Sequence, residues 1–312
     1  MTVQVLKKSH ILLKSVTLIV FGAIVSCSQP PHRDQQVSLN QSSAILGGAS
    51  ADYNFQKTNG VVGLIIITQH PGTDPQGHPN QSQALCTGSL ISKRFILTAA
   101  HCVADPNSTL IVIFDTDVKV ATSAKKYIRA SSITPNDLFF SKKVTGSFVQ
   151  GEPWNDIGVV ELSADAPIDF NFAKLAGTED QVRLIPNVEL VLAGFGVSDP
   201  IVNEVQIING KPSVLPIKGK PQTAGILRFV EGVSVLDATP DLKEILVDQK
   251  NGTRGACHGD SGGPAYLKNA DGTLTLVGIT SRGTNTNGNC DQQNVFTNVI
   301  GHLDWIKSKV AF

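Results

Sequence analysis

The chain has 312 residues, 41% of them hydrophobic, with 28 glycines, 16 prolines and few aromatics. Its 26 basic and 26 acidic residues cancel, and removing residues 1–44 leaves 22 against 25, which excludes the basic footprint of a nucleic-acid-binding protein. The length permits a large buried core, and abundant glycine with little helical periodicity favours an all-β chain rich in turns.

At the start, Lys7, Lys8 and Lys14 precede an apolar run from Val16 to Val25 that is too short to span a bilayer and reads as an export signal. It closes on Ile24, Val25, Ser26 and Cys27, which resembles a bacterial lipobox. That resemblance implies a lipid-modified Cys27 and an exported protein whose only tie to a membrane is a lipid anchor. Ser28 in place of an aspartate implies the outer membrane, with release outside the cell as the other outcome. An ordinary secretory signal with an incidental cysteine is the alternative. Residues 28–44 are polar, rich in Ser, Gln, Asn and Pro, and cannot bury a core of their own, so they read as linker and propeptide.

From Ile45, Leu46, Gly47 and Gly48 onward the chain reads as one folded domain to residue 312. Short apolar runs predict strands at Val61–Thr68, Leu90–Ala99, Leu110–Phe114, Ile157–Leu162, Glu189–Phe195, Leu274–Thr280 and Val295–Val299. The polar stretch His70–Gln83 reads as a surface loop. His70 and His78 within it lack a cysteine or carboxylate cluster at metal-ligand spacing, so no metal site is expected. Ile300, Leu303, Ile306 and Val310 stand at helical spacing and predict a C-terminal helix over 299–310.

Two stretches carry chemistry. Leu97, Thr98, Ala99, Ala100, His101 and Cys102 end an apolar run on a histidine beside a cysteine. Gly259, Asp260, Ser261, Gly262, Gly263 and Pro264 put a serine on a glycine-flanked turn. A serine hydroxyl needs a base within reach and backbone N–H donors for the developing oxyanion, and these two stretches are the parts such chemistry requires. In this order they resemble the chymotrypsin-like (trypsin-family) serine peptidases, over roughly residues 45–312.

The resemblance implies two six-stranded antiparallel β-barrels with the active site in the cleft between them. It implies His101 as general base, Ser261 as nucleophile and an orienting acid. Asp156 fits that acid because Asn155 and Asp156 directly precede the apolar run Ile157–Leu162, whereas Asp105 sits in a Pro106–Asn107 turn. The oxyanion donors would be the backbone N–H groups of Gly259 and Ser261. Cys86 would pair with Cys102 and Cys257 with Cys290, leaving Cys27 as the odd one of five, as an exported chain allows. Ile45 would be the new N-terminus after activation cleavage, its α-ammonium pairing with Asp260. Ala44 before it implies an activating protease that prefers small residues, the enzyme itself included.

In the specificity pocket Gly255, six residues before Ser261, offers no charge for a basic side chain. Ser281 and Gly283 would form the wall and Asn294 would narrow the base or add a hydrogen bond, together favouring small to medium uncharged side chains. Arg282 stands where the family has an aromatic, which points to a polar or acid-preferring neighbouring subsite, or else to a solvated cation. The expected protein is a monomeric serine endopeptidase made as a zymogen, acting on protein or peptide substrates and needing no cofactor. The alternatives are a catalytically inert peptidase-like binding protein, which would be expected to lack a catalytic residue, and an esterase, whose histidine would come last in the chain rather than first.

Overall fold

Strand formation follows the apolar runs, but more of the chain is strand than those runs disclose. The computed structural model describes residues 45–73, 77–139, 154–199, 202–218, 221–238, 243–285 and 289–310; the export signal, Cys27 and the 28–44 stretch lie outside them. Within the folded unit, a short β1 (Ala49–Ser50) and helix α1 (Tyr53–Asn59) lead into the first barrel. The barrel closes from β2 (Val61–Thr73), β3 (Pro79–Leu90), β4 (Phe95–Thr98), β5 (Ser108–Ile113), β6 (Tyr127–Pro135) and β7 (Gly158–Leu162), in the order β2-β3-β4-β7-β6-β5. Helix α2 (Val118–Ser123) lies between β5 and β6.

After the two-residue β8 (Lys174–Leu175), β9 (Glu189–Gly194) begins the second barrel. A hairpin of β10 (Val202–Ile208) and β11 (Lys211–Lys218) follows, forming a two-stranded sheet of its own. The remaining strands are β12 (Arg228–Asp237), β13 (Glu244–Asp248), β14 (Pro264–Lys268), β15 (Leu274–Gly283) and β16 (Gln293–Asn298). The ring β9-β14-β15-β16-β13-β12 closes because β12 also pairs with β9, while β1 adds to β12 and β8 runs parallel to β15. A turn at Ile300–His302 leads into helix α3 (Leu303–Lys309), whose Ile306 is buried, as is Val310 at its end. The fold is two closed six-stranded antiparallel barrels with a short C-terminal helix.

Two expectations need correction. The stretch His70–Gln83 is in large part an exposed extension of the β2–β3 hairpin, with Thr68 opposite Ser82 and Gln69 opposite Gln81. Its polar side chains mask the strand because neither face there is buried. The run Leu90–Ala99 is two strand ends: the chain reverses at Ile91–Arg94, where Ile91 N–H donates to the Phe95 carbonyl at 2.8 Å. An apolar run buried on both sides of a turn cannot be told from one strand by periodicity.

Both cores are mainly aliphatic. Leu64, Ile96, Leu97, Val112 and Val160 fill the first barrel, and Leu190, Val233, Val235, Ile245, Val247 and Phe296 fill the second. The first cluster continues through Phe195, Tyr266 and Ile279 to Ile306, so apolar packing runs from the first barrel to the terminal helix, while the second barrel keeps a core of its own. Each buried aliphatic side chain contributes about 1.5–3 kcal/mol to holding the barrels closed.

Candidate active site

Register brings the first two functional groups together. β4 pairs antiparallel with β7, Thr98 opposite Gly158, so the chain just past β4 and the chain just before β7 emerge at the same end of the first barrel. His101 sits on the short turn Ala100–Cys102, and Asp156 precedes β7. Asp156 is 1% exposed and takes four hydrogen bonds. His101 gives its backbone N–H to Oδ1 at 2.9 Å, while its ring Nδ1 lies 2.8 Å from Oδ2. The Ser281 hydroxyl donates to Oδ2 at 2.7 Å, and Thr297 Oγ1 donates to the Asp156 backbone carbonyl at 2.8 Å.

Burial alone would raise the carboxyl of Asp156, but the charge and hydrogen bonds of His101 and the Ser281 hydroxyl outweigh it and hold it below the ordinary carboxylate value. For His101, burial works against the imidazolium, but the charge of Asp156 and its hydrogen bond win, so the ring sits above its ordinary value. An ionised carboxylate that fixes one ring nitrogen leaves the other facing the cleft.

Asn155, at φ 51°, is anchored from the far side. The buried ring of His302 donates from Nδ1 to the Asn298 carbonyl at 2.8 Å, and its Nε2 lies 3.1 Å from the Asn155 side-chain amide. Burial, joined by Lys243 and only partly offset by the Asn298 bond, pushes His302 down to about 4, so it serves as a neutral strut. The sequence offered no signal for this role beyond a lone histidine near the end of the chain.

The serine turn is held from both barrels. Thr87 on β3 donates its backbone N–H to the Ser261 carbonyl at 2.8 Å and its hydroxyl to the Gly259 carbonyl at 3.0 Å. The disulfide Cys86–Cys102 spans 6.4 Å between Cα atoms, and Cys102 Sγ lies 3.7 Å from the Ser261 carbonyl, which sets Ser261 beside the residue that follows His101. On the other side Cys257 pairs with Cys290. Within the turn, Asp260 N–H goes to Cys257, Gly262 N–H to Thr280 and Gly263 N–H to Asp260. The Gly259 and Ser261 N–H groups donate to no partner among the described residues, and neither does the Ser261 hydroxyl. The alternation leaves these two donors unspent among the described residues.

Asp260 turns inward. It is fully buried, Oδ1 accepting from Gly196 N–H at 2.7 Å and Oδ2 from Cys257 N–H at 2.9 Å. A side chain on Gly194 or Gly196 would run into this carboxylate, so the Gly-Phe-Gly run at 194–196 is what makes room for it. Burial pushes Asp260 up to about 7, against the pull of its two N–H donors and of Arg228. Ile45 is also fully buried, and Leu46 exchanges two backbone hydrogen bonds with Gly255, at 2.8 and 3.1 Å.

Ser281, Gly283 and Asn294 differ in what they touch. Ser281 spends its hydroxyl on Asp156, so it holds the carboxylate. A side chain at Gly283 would meet only ordinary contacts, the nearest being Asn289 O at 3.5 Å. Asn294 is buried, its amide nitrogen donating to the Ala256 carbonyl at 3.4 Å. Arg282 is neither a solvated cation nor a free anion site. It makes a two-pronged pair with Glu244 at 2.9 and 3.0 Å, both side chains nearly buried, and its guanidinium stacks 3.8 Å from the Trp154 ring. Trp154 N–H in turn donates to Glu244 Oε1 at 3.0 Å. Two histidine–cysteine clusters, Cys86/His101/Cys102 and Cys257/His258/Cys290, are each a disulfide beside a histidine, and disulfide sulfurs are not thiolate ligands.

This geometry is joined by a match of the Trypsin family model to residues 67–215 and 222–306. The chain belongs to the trypsin family. It is 29% identical over 232 residues to proproteinase E of Bos taurus, which covers 72% of this chain and 83% of the relative. It is 27% identical over 234 residues to chymotrypsin-like elastase family member 3B of Homo sapiens, covering 72% and 78%. Among solved structures, HL collagenase matches with a TM-score of 0.59 at 22% identity, over 86% of this chain and all of the other, a likeness of fold. As a trypsin-family member the protein is a serine-type endopeptidase, a hydrolase of peptide bonds in protein substrates. No helix among the described residues is long and apolar enough to cross a membrane.

Proposed function

We propose that the protein cleaves peptide bonds through an acyl-enzyme formed on Ser261. His101 takes the hydroxyl proton as Ser261 Oγ attacks the peptide carbonyl, then gives it to the leaving amine, and water completes the cycle by the same route. Asp156 orients the ring and stabilises the imidazolium, and the N–H groups of Gly259 and Ser261 receive the oxyanion. The observation that carries this reading is the His101–Asp156 pair, 2.8 Å long around a carboxylate 1% exposed, at the same end of the barrel as the serine turn. Reaction with a fluorophosphonate tests it: one equivalent on Ser261, with peptidase activity lost in step, is expected, and no reaction would refute it.

The protein is made as a zymogen. Cleavage after Ala44 would free the α-ammonium of Ile45, and Asp260, buried with no ion pair among the described residues, is the carboxylate suited to receive it. The pocket beside Gly255 takes small to medium uncharged side chains, since Gly255 offers no carboxylate for a basic one. Because Cys86, Cys102, Cys257 and Cys290 pair with one another, Cys27 is the remaining cysteine, consistent with lipidation at the lipobox and export to the outer membrane of a bacterium. Metabolic labelling with an alkyne fatty acid should mark the wild type and spare Cys27→Ala.

A further inference from the structure

In the uncleaved chain Ile45 is still joined to Ala44, yet the segment that cleavage would free is already docked. Ile45 is fully buried in the core of the second barrel, and buried Leu46 keeps both of its backbone hydrogen bonds to Gly255. Docking it while attached leaves strain, since Ile45, a β-branched residue, has a φ of 54°. The serine turn is in place as well: Asp260 points inward, and the N–H groups of Gly259 and Ser261 are unspent among the described residues. What the uncleaved chain lacks is the ammonium.

A cation of its own stands on the same face of the sheet. Gly194 on β9 is the register partner of Arg228 on β12, and residues directly opposite in an antiparallel pair send their side chains to one face. That face is the inner one, because the pair two residues along, Leu192 opposite Val230, lies in the core of the second barrel. A Cβ on Gly194 would run into Asp260 Oδ1, with Asp260 Cγ at 3.0 Å. The carboxylate therefore occupies the side-chain position of Gly194, next to the strand position from which the buried Arg228 side chain leaves. Arg228 Nη1 donates to the Ile226 carbonyl at 3.3 Å.

The electrostatics agree with this placement. Among the described residues Arg228 is the one charged group that acts on Asp260, drawing its carboxyl down against burial, and Asp260 in turn supports the charge of Arg228 against its own desolvation. The attraction runs across the face without a side-chain hydrogen bond between the two, which makes it a partial substitute for an ammonium seated on the carboxylate.

We propose that Arg228 is a positioning residue that holds Asp260, and through it the serine turn, before cleavage, so that the uncleaved chain is already a peptidase of reduced rate. The proposal rests on the reading above, that Ser261 is the nucleophile and that Asp260 receives the Ile45 α-ammonium once it is freed. It gives the precursor the standing activity that the first molecules need if the enzyme itself is to cut after Ala44.

The test follows the full chain with a fluorophosphonate, intact mass scoring the label on uncleaved and cleaved molecules separately. Uncleaved wild type should react more slowly than the cleaved form but within about a hundredfold of it. Arg228→Met keeps an apolar stem and removes the charge, so it should slow the uncleaved form by a further factor of about ten or more and leave the cleaved form within about threefold. Arg228→Lys keeps the charge and should retain most of the uncleaved rate. A merely structural role for Arg228 would slow both forms alike, and that result would overturn the proposal. So would an uncleaved wild type that stays unlabelled while the cleaved form reacts; the catalytic and activation readings stand in both cases. Should Arg228→Met not fold, Arg228→Gln against Arg228→Lys gives the same comparison. A cleaved wild type no faster than the uncleaved would overturn the activation reading, reaction of neither form would overturn the catalytic one, and the proposal falls with each.

Discussion

Thr87 and Ser261 belong to different barrels, yet the backbone N–H of Thr87 donates to the carbonyl of Ser261 at 2.8 Å. The Thr87 hydroxyl also accepts from Phe195 N–H at 3.1 Å while donating to Gly259, so one fully buried side chain joins both barrels to the serine turn. Replacing it by the isosteric valine keeps the backbone bond and strands a buried donor and acceptor. Thr87→Val should destabilise the protein by about 1–3 kcal/mol, read by denaturant unfolding, and should lower kcat more than it raises KM because the oxyanion donors lose their alignment.

His302 makes stability depend on pH in a defined window. Its folded value is about 4 against 6.5 ordinarily, so between these values the unfolded chain binds more protons. Stability should therefore fall as pH drops from 6.5 to 4, by roughly 3 kcal/mol, and flatten below, as far as this group is concerned. Unfolding free energies of wild type and His302→Gln across pH 3.5–7.5 give the check: the difference between them should shrink toward the acid end.

Asp260 predicts the opposite slope in the uncleaved chain. Burial raises its folded value to about 7, so protonation favours the fold: the contribution is fully present below the ordinary value of 3.8 and is lost as pH rises through about 7. An α-ammonium at Ile45 would remove that loss. Uncleaved protein should lose stability relative to its Asp260→Asn variant between pH 4 and 7, and protein cleaved after Ala44 should not. Thermal unfolding of both forms over this range distinguishes them.

The Glu244–Arg282 pair is nearly buried and packs against Trp154, two residues before Asp156. Removing one partner leaves a desolvated charge, so Glu244→Gln should cost about 3 kcal/mol or more, whereas replacing both with methionine should cost far less. Acidic residues added to a peptide substrate should gain nothing from Arg282, because Glu244 already neutralises it. A marked gain in kcat/KM for such peptides would contradict this.

Much of the scaffold was readable beforehand because its strands carry dense apolar runs: Leu110–Phe114, Ile157–Leu162 and Val295–Val299 declare themselves by composition. Strands that expose a face or begin on proline did not. β3 starts at Pro79 amid Asn and Gln, β14 starts at Pro264, and β12 carries Glu231 and Gly232 in its middle. At the candidate site, His101, Asp156 and Ser261 stand out in the sequence because each sits in a short local pattern. Thr87, Ser281 and His302 matter through contacts across the fold, with Ser261, Asp156 and Asn155 lying 174, 125 and 147 residues away in the chain, and a linear pattern holds no trace of such contacts. Arg282 was legible as unusual, but its partner Glu244 lies 38 residues off, and only the sheet brings them together.

The central claim is that Ser261 is the nucleophile served by His101 and Asp156, and the direct measurement is kcat/KM of activated Ser261→Ala on a peptide the wild type cuts. The account predicts a loss on the order of a million-fold in turnover, with the fold intact by its unfolding curve and about ten-thousand-fold for Asp156→Asn beside it. A folded Ser261→Ala protein that still cuts the peptide within tenfold of wild type would contradict it.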